Sequence, residues 1–279
     1  MDPAKSDLLA MPNSGLNLEV HGTGPDLVLL HGWGLNLRVW DKLVDRLAPH
    51  FRIITVDLPG HGRSAWNQQR RTLAAQAQIV RASFAAVRTG YVSTPCFVLG
   101  WSLGAQIALE LAATSPRYFS RLVFVGSTPR FAASADWPHG SPQATLDNFA
   151  RGLLTDYKQT ASDFLELQVR GSAAGNEILS ELRSALFAHG DAQPDALSAD
   201  LDILATSDLR SVLPGITSPT LVVAGQYDRV TPPAASRAMA DMLPNSRYVE
   251  LRRAAHAPFL SHPDEMSALL KEFLLPHDS

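Results

Sequence analysis

Cysteine is almost absent from this chain. A single residue, Cys96, stands among 279, which excludes an intrachain disulfide framework and any metal or iron–sulfur site built from several thiolates. An excess of charge is also lacking: 24 basic residues face 27 acidic ones, for a formal net charge of −3. Such a balance supplies no overall field to gather nucleic acid or an anionic membrane. No apolar run approaches the roughly 18 residues that a membrane span needs. The start, Met1 to Pro12, carries Asp2, Lys5 and Asp7 and no sustained apolar stretch, so it does not read as a signal peptide. Neither G-x-x-x-x-G-K-[ST] nor G-x-G-x-x-G occurs, which removes nucleotide chemistry from the leading readings. Internal repeats and low-complexity segments are absent as well. With 46% hydrophobic and 18% charged residues, the chain reads as an ordinary globular protein, expected to be cytoplasmic and monomeric.

What is present is an alternation. Short Val/Ile/Leu-rich runs bounded by Gly, Pro or Asp read as strands at Leu27 to Leu30, Arg52 to Val56, Cys96 to Leu99, Leu122 to Val125, Thr220 to Ala224 and Ser246 to Leu251. Helical patterns lie between them, at Val39 to Ala48, Thr72 to Arg88, Gly104 to Ala113, Pro233 to Met242 and Pro263 to Leu274. Such an order predicts an α/β fold: a mostly parallel, doubly wound sheet with helices on both faces. An opening antiparallel pair is expected too, with Leu16 to His21 turning through Gly22-Thr23-Gly24 into Leu27 to Leu30. The alternation breaks between about Pro129 and Pro219, where helices are expected around Thr145 to Tyr157, Thr160 to Val169, Asn176 to Phe187 and Ala196 to Thr206. The domain expectation is therefore a core of residues 1–128 and 220–279, with a helical cap at 129–219 inserted between two strands. The cap would lie where strand C-terminal ends open, the usual place for a ligand.

The sharpest local signal is Gly100-Trp101-Ser102-Leu103-Gly104, a G-x-S-x-G between a strand and a helix. A serine on so tight a turn has its hydroxyl held clear of the sheet, and the flanking glycines leave room where a Cβ would clash. The helix N-terminus then aims N–H groups at an oxyanion forming beside it. Serine becomes a nucleophile only when a base takes its proton. Of nine histidines, His256 is the candidate base, in the loop between a late strand and the last helix. His262 reads as a helix-entry residue, while His21, His50, His139, His189 and His277 sit in turns or tails. Asp228, directly after the strand Leu221 to Ala224, is the candidate acid; Asp57, ahead of Leu58-Pro59-Gly60-His61-Gly62-Arg63-Ser64, is its rival and suits loop structuring better. The oxyanion hole would take N–H groups from Leu103 and from Trp33 in His31-Gly32-Trp33-Gly34, with the His31 ring bracing that loop. Cys96, inside an apolar strand, reads as a small core residue.

Together, His31-Gly-Trp-Gly, Asp57-Leu-Pro-Gly-His-Gly-Arg-Ser64, Gly100-Trp-Ser-Leu-Gly104, Asp228 and His256 resemble the α/β-hydrolase superfamily over about Leu16 to Leu274. Within it, Trp33, the elbow Gly-Trp-Ser-Leu-Gly, the stretch Phe164-Leu165-Glu166-Leu167-Gln168 and Leu209-Arg210 make the chain similar to the carboxylesterases of biotin synthesis that demethylate pimeloyl-[acyl-carrier protein] methyl ester. That resemblance implies a serine esterase with no cofactor and no metal, acting through Ser102, His256 and Asp228. It implies a substrate site lined by Trp33, Ser102, Leu103, Phe164, Leu165, Glu166, Leu167, Gln168 and His256. The acyl ester would be a small molecule or carrier-bound, with any carrier protein docking on the cap. In that family cap arginines meet the acidic carrier. Here Asp163, Asn176 and Ser180 stand near where arginines are expected, and Arg151, Lys158, Arg170 and Arg183 are outnumbered by Asp147, Asp156, Asp163, Glu166, Glu177 and Glu181. Two apolar stripes, Leu146, Phe149, Leu153, Leu154 and Tyr157, then Phe164, Leu165 and Leu167, read mostly as cap core, with Phe164 and Leu167 candidates to face Ser102. Arg151, Lys158 and Arg170 are placed near the mouth. The alternatives are a broad-specificity short-chain carboxylesterase or thioesterase and a non-catalytic binding protein on the same scaffold.

Overall fold

In the computed structural model, residues 15–88, 95–172, 175–188 and 192–275 are described. The N-terminal stretch Met1 to Pro12, His189 and His277 lie outside them. Strands β1 (Leu18–His21), β2 (Asp26–Leu30) and β3 (Arg52–Val56) open the fold, with a 3-10 turn (Leu37–Trp40) and α1 (Asp41–Leu47) between β2 and β3. There follow α2 (Leu73–Val87), β4 (Cys96–Trp101), α3 (Leu103–Thr114) and β5 (Arg121–Val125). Four helices come next: α4 (Gln143–Thr155), α5 (Tyr157–Val169), α6 (Gly175–Ala188) and α7 (Pro194–Thr206). The core resumes with β6 (Thr220–Gly225), α8 (Pro233–Met242), β7 (Ser246–Leu251), α9 (Pro258–Ser261) and α10 (Pro263–Leu274).

The strands form one sheet in the order β1-β3-β2-β4-β5-β6-β7, parallel throughout except for β1. β2 to β6 are buried almost without interruption, as strands covered by helices on both faces must be. Two apolar clusters, one on each face, carry that cover: Phe84 of α2, Leu109 of α3 and Met239 of α8 in one, Leu43 of α1 and Leu270 of α10 in the other.

The expected opening hairpin does not form. β1 pairs antiparallel with β3, Leu18 opposite Val56 and His21 opposite Ile53, while β2 lies between β3 and β4. The cause is the turn at Gly22. It passes so close over the α1–β3 connection that a Cβ there would fall 2.2 Å from the Ala48 carbonyl oxygen. The turn thus bridges the start of β3 and sets β1 on its far side. β1 alternates Leu18 and Val20 with Glu19 and His21, and as the edge strand it caps a sheet whose next two strands have no polar face to offer.

Between β5 and β6 the described chain is helical, with only isolated bridges such as Arg130 to Asp208. That bridge closes the neck of the insertion. Arg130 Nη1 reaches Asp208 Oδ2 at 2.9 Å, and Arg210 Nη2 ties Asp208 (2.7 Å) to Asp136 (2.8 Å). The Arg210 guanidinium, bonded to its carboxylate, holds Asp208 down at about 2.

Candidate active site

β4 runs straight into α3, and the residue at the corner is Ser102. Its backbone sits at φ 55°, ψ −116°, a region that costs a non-glycine residue on the order of 1–3 kcal/mol and persists only where the surroundings impose it. Two close approaches impose it here. A Cβ on Gly100 would lie 2.4 Å from the Gly104 carbonyl oxygen, and one on Gly104 would lie 2.3 Å from that of Leu30. The helix can therefore pack on β2 and β4 only with glycine at both places. Ser102 N–H is anchored to the Val125 carbonyl at 3.0 Å, while Leu103, first residue of α3, presents a backbone N–H that no helical carbonyl can reach.

His256 lies in the loop between β7 and α9, and Asp228 follows β6. The histidine Nδ1 is 2.8 Å from Asp228 Oδ2, with both side chains buried. The other oxygen of Asp228 accepts the N–H groups of Val230 (2.9 Å) and Thr231 (2.8 Å). The carboxylate is thereby oriented, and the imidazole keeps its proton on Nδ1 and its lone pair on Nε2. Three further contacts seat the ring. His256 N–H bonds the Gln168 carbonyl (3.0 Å), the His256 carbonyl accepts from the Trp101 indole (2.8 Å), and Gly126, at φ 52°, leaves room where a Cβ would come 3.0 Å from Nδ1. Ser102 and His256 are thus seated against the same 125–126 turn. Among the described residues, His256 Nε2 has no hydrogen-bond partner, so Ser102 is not bonded to it in this state; such bonds commonly tighten only when substrate is present.

The loop after β2 is braced on both flanks of Trp33. The His31 ring donates from Nδ1 to the Gly32 carbonyl (2.8 Å) and accepts the Leu58 N–H at Nε2 (2.9 Å). The His61 ring donates from Nδ1 to the Pro59 carbonyl (3.1 Å) and accepts the Gly34 N–H at Nε2 (3.2 Å). Burial lowers His31 to about 4 and His61 to about 3, so both rings are neutral props rather than acids or bases at neutral pH. Asp57 is a loop organiser: its carboxylate accepts N–H groups of Leu37 (2.8 Å) and Arg63 (3.0 Å) and the Asn17 amide (2.9 Å). Cys96 is buried, and burial pushes its thiol up to about 12.

Above Ser102 a narrow apolar cavity of about 60 Å³ is lined by Trp33, Leu146, Phe149, Phe164 and Leu167, together with Phe131, Ser141, Thr145, Leu201, Leu204, Arg229 and Val230. Its roof is an aromatic cluster, with the rings of Trp33, Phe149 and Phe164 meeting at centroid distances of 5.0 to 5.2 Å. Trp33 also donates its indole N–H to the Leu197 carbonyl of α7 at 3.0 Å, so the loop is gripped by the insertion.

Not all of the stretch 164–168 faces this space. Leu165 packs away from it, buried with Val169, Ile178 and Leu182 against α6, and Glu166 points outward to Arg183 at 3.2 Å. On a helix Phe164, Leu167 and Gln168 share one face at i, i+3 and i+4, which turns Leu165 and Glu166 elsewhere. Gln168 reaches the site through its backbone carbonyl. The side chains of Leu154, Tyr157 and Lys158 lie outside those described. Sequence reasoning missed Gly126, whose signal was a glycine just past a strand end, and Arg229, adjacent to Asp228. Phe131, Leu201 and Leu204 carried no local signal.

The family described as alpha/beta hydrolase fold matches residues 25–263. A pimeloyl-[acyl-carrier protein] methyl ester esterase of Stenotrophomonas maltophilia (strain K279a) is 40% identical over 259 residues, covering 93% of this chain and 96% of that protein. One of the same name from Nitrosomonas europaea is 40% identical over 252 residues, covering 90% and 96%. Among solved structures, an esterase from Exiguobacterium antarcticum superposes with a TM-score of 0.83 at 24% identity, over 93% of this chain and 95% of that one. A hydrolase from Pseudomonas aeruginosa PA01 superposes at 0.78 with 26% identity, over 99% and 100%. At 24% identity the first of these likenesses speaks for the fold alone.

Proposed function

The chain belongs to the alpha/beta hydrolase fold family, and from that premise we propose that it removes the methyl ester of a pimeloyl chain borne on acyl-carrier protein, through a Ser102–His256–Asp228 acyl-enzyme route. The observation that carries the chemistry is the fixed imidazole: Nδ1 held by Asp228 at 2.8 Å and Nε2 left with its lone pair, seated against the same 125–126 segment that anchors Ser102 on its strained turn. The 40% identity to the named esterases over nearly the whole chain supports the substrate.

In the reaction, His256 Nε2 takes the proton of Ser102 as its oxygen attacks the ester carbonyl. The developing oxyanion is held by the N–H groups of Leu103 and Trp33, the first aided by the α3 N-terminus. Methanol leaves with the proton from His256. Water then attacks the acyl-enzyme with the same base, and carrier-bound pimelate departs. Asp228 keeps the ring in the required tautomer and stabilises the imidazolium. The acyl chain lies under the cap segment 129–219, along Phe164 and Leu167.

No helix among the described residues is long and apolar enough to cross a membrane, and no group of three or more His, Cys, Asp or Glu among them could hold a metal ion. The test is to offer the carrier-bound methyl ester beside a short p-nitrophenyl ester. The expected result is a higher kcat/KM on the carrier-bound substrate, and a loss of about three or more orders of magnitude on both in Ser102→Ala with the fold retained. Unchanged activity in that variant would remove Ser102 from the mechanism.

A further inference from the structure

We propose that the acidic carrier protein docks not on the outward faces of the insertion helices but on four arginines of the loops about Tyr227: Arg170, where α5 ends, with Arg229, Arg252 and Arg253. This rests on the carrier-bound substrate proposed above.

Each arginine stands on a loop that carries part of the site. Arg229 follows Asp228 and lines the cavity with Ser102. Arg252 and Arg253 precede His256, and Arg170 lies two residues beyond Gln168, whose carbonyl holds the His256 N–H. These loops are laced at one end of the sheet. Gln226 N–H bonds the Leu251 carbonyl (3.0 Å), Tyr227 N–H bonds that of Ala254 (2.8 Å), and Arg253 N–H bonds Gln226 Oε1 (3.0 Å). Tyr227 is 42% exposed, the one exposed large hydrophobic among the described residues. It sits against Gly171, where a Cβ would touch its own Cβ at 3.4 Å. All four arginines are exposed, and none makes an ion pair among the described residues. The nearby carboxylates are few. Glu177 lines the depression beside Arg170, and Glu250 is engaged by Arg237 and Tyr248.

The helices of the insertion offer a poorer face. Arg183 is taken up by Glu166 and Ser162, and Arg151 by Asn148, while Asp156 and Asp163 are exposed there. An exposed tyrosine on loops that also carry exposed arginines without an ion pair among the described residues has the composition of a protein interface. Cations on the loops that carry Asp228 and His256, with Arg229 lining the cavity itself, would steer an acidic partner towards the end of the sheet where Ser102 lies.

The experiment measures kcat/KM on the carrier-bound methyl ester and on a free p-nitrophenyl ester, at low and high salt. It compares the wild type, the double variant Arg170→Glu/Arg252→Glu and the insertion-helix double variant Arg151→Glu/Arg183→Glu. The expected result is a loss on the order of tenfold for the Arg170→Glu/Arg252→Glu variant on the carrier-bound substrate alone, shrinking as salt rises, with the other variant near wild type. The free-ester rate reports whether the fold survived. An equal loss on both substrates, no loss on the carrier-bound one, or a larger loss in the insertion-helix variant would overturn the docking surface and leave the esterase reading standing. A wild type that handles the carrier-bound ester no better than the same methyl ester free of carrier, measured alongside, would overturn both the docking surface and the carrier-bound substrate.

Discussion

Asp200 is the buried group whose replacement tests the electrostatics of this fold most directly. It lies on α7 with no exposed surface, and its Oδ1 accepts from the Gln76 amide of α2. Its Oδ2 is 3.7 Å from His61 Nε2 and has no hydrogen-bond partner among the described residues. That histidine nitrogen already accepts the Gly34 N–H and carries no charge, so no cation offsets the carboxylate. Burial therefore raises Asp200 to about 8, and the folded protein keeps it protonated at neutral pH. The unfolded chain releases that proton near pH 4. Between about pH 4 and about pH 8 the folded state thus binds more protons than the unfolded state, and the stability fully present below pH 4 is lost as pH rises through that window. At pH 7 the cost amounts to about 4 kcal/mol, from roughly three pH units at about 1.4 kcal/mol each. In Asp200→Asn the side-chain oxygen can keep the Gln76 bond and the amide nitrogen replaces the unpartnered oxygen, with no titratable proton left to bury. The variant is expected to be more stable than wild type, by up to about 4 kcal/mol at pH 7. The gap should widen by about 1.4 kcal/mol per pH unit between pH 5 and 8. Urea midpoints at four pH values, with the slope of the transition checked for constancy, measure it. Parallel pH dependences in the two proteins would refute the reasoning.

Three further outcomes are expected. Asp228→Asn retains an oxygen for the Val230 and Thr231 N–H groups but turns an NH2 towards His256 Nδ1; the ring must then present Nε2–H, and kcat should fall about 10³- to 10⁴-fold with little change in the urea midpoint. A kcat within tenfold of wild type would contradict that role. Phe164→Ala opens the aromatic roof against Trp33 and Phe149, and should lower kcat/KM for a seven-carbon acyl ester about tenfold more than for an acetate ester, read from the two substrates side by side. Cys96, buried with its thiol at about 12, should react with a disulfide reagent at pH 7 only as fast as the chain unfolds; rapid labelling of the folded protein would show an open strand edge.

Much of this protein was legible in its sequence because the informative features are local. Arg52 to Val56 and Ser246 to Leu251 read as strands with the bounds they have in the fold, and the helices Pro233 to Met242 and Pro263 to Leu274 begin at prolines, whose missing N–H costs nothing at a first turn. Ser102, Asp228 and His256 each lie just past a strand end, so one line of sequence placed them at one edge of a parallel sheet. The tertiary structure alone decided what depends on partners far along the chain. β1 pairs with β3 because a turn crosses over the α1–β3 connection, which no hydrophobic pattern in β1 records. Leu165 and Glu166 turn from the cavity because the packing of α5 on α6 sets the rotation of the helix. Leu201 and Leu204 join Ser102, and Asp200 meets Gln76 and His61, only when α7 settles on the core. A nucleophile elbow is announced by a five-residue pattern, even though one of its glycines answers to the Leu30 carbonyl of β2, whereas a substrate channel and a buried acid leave no such pattern and arise from contacts between distant segments.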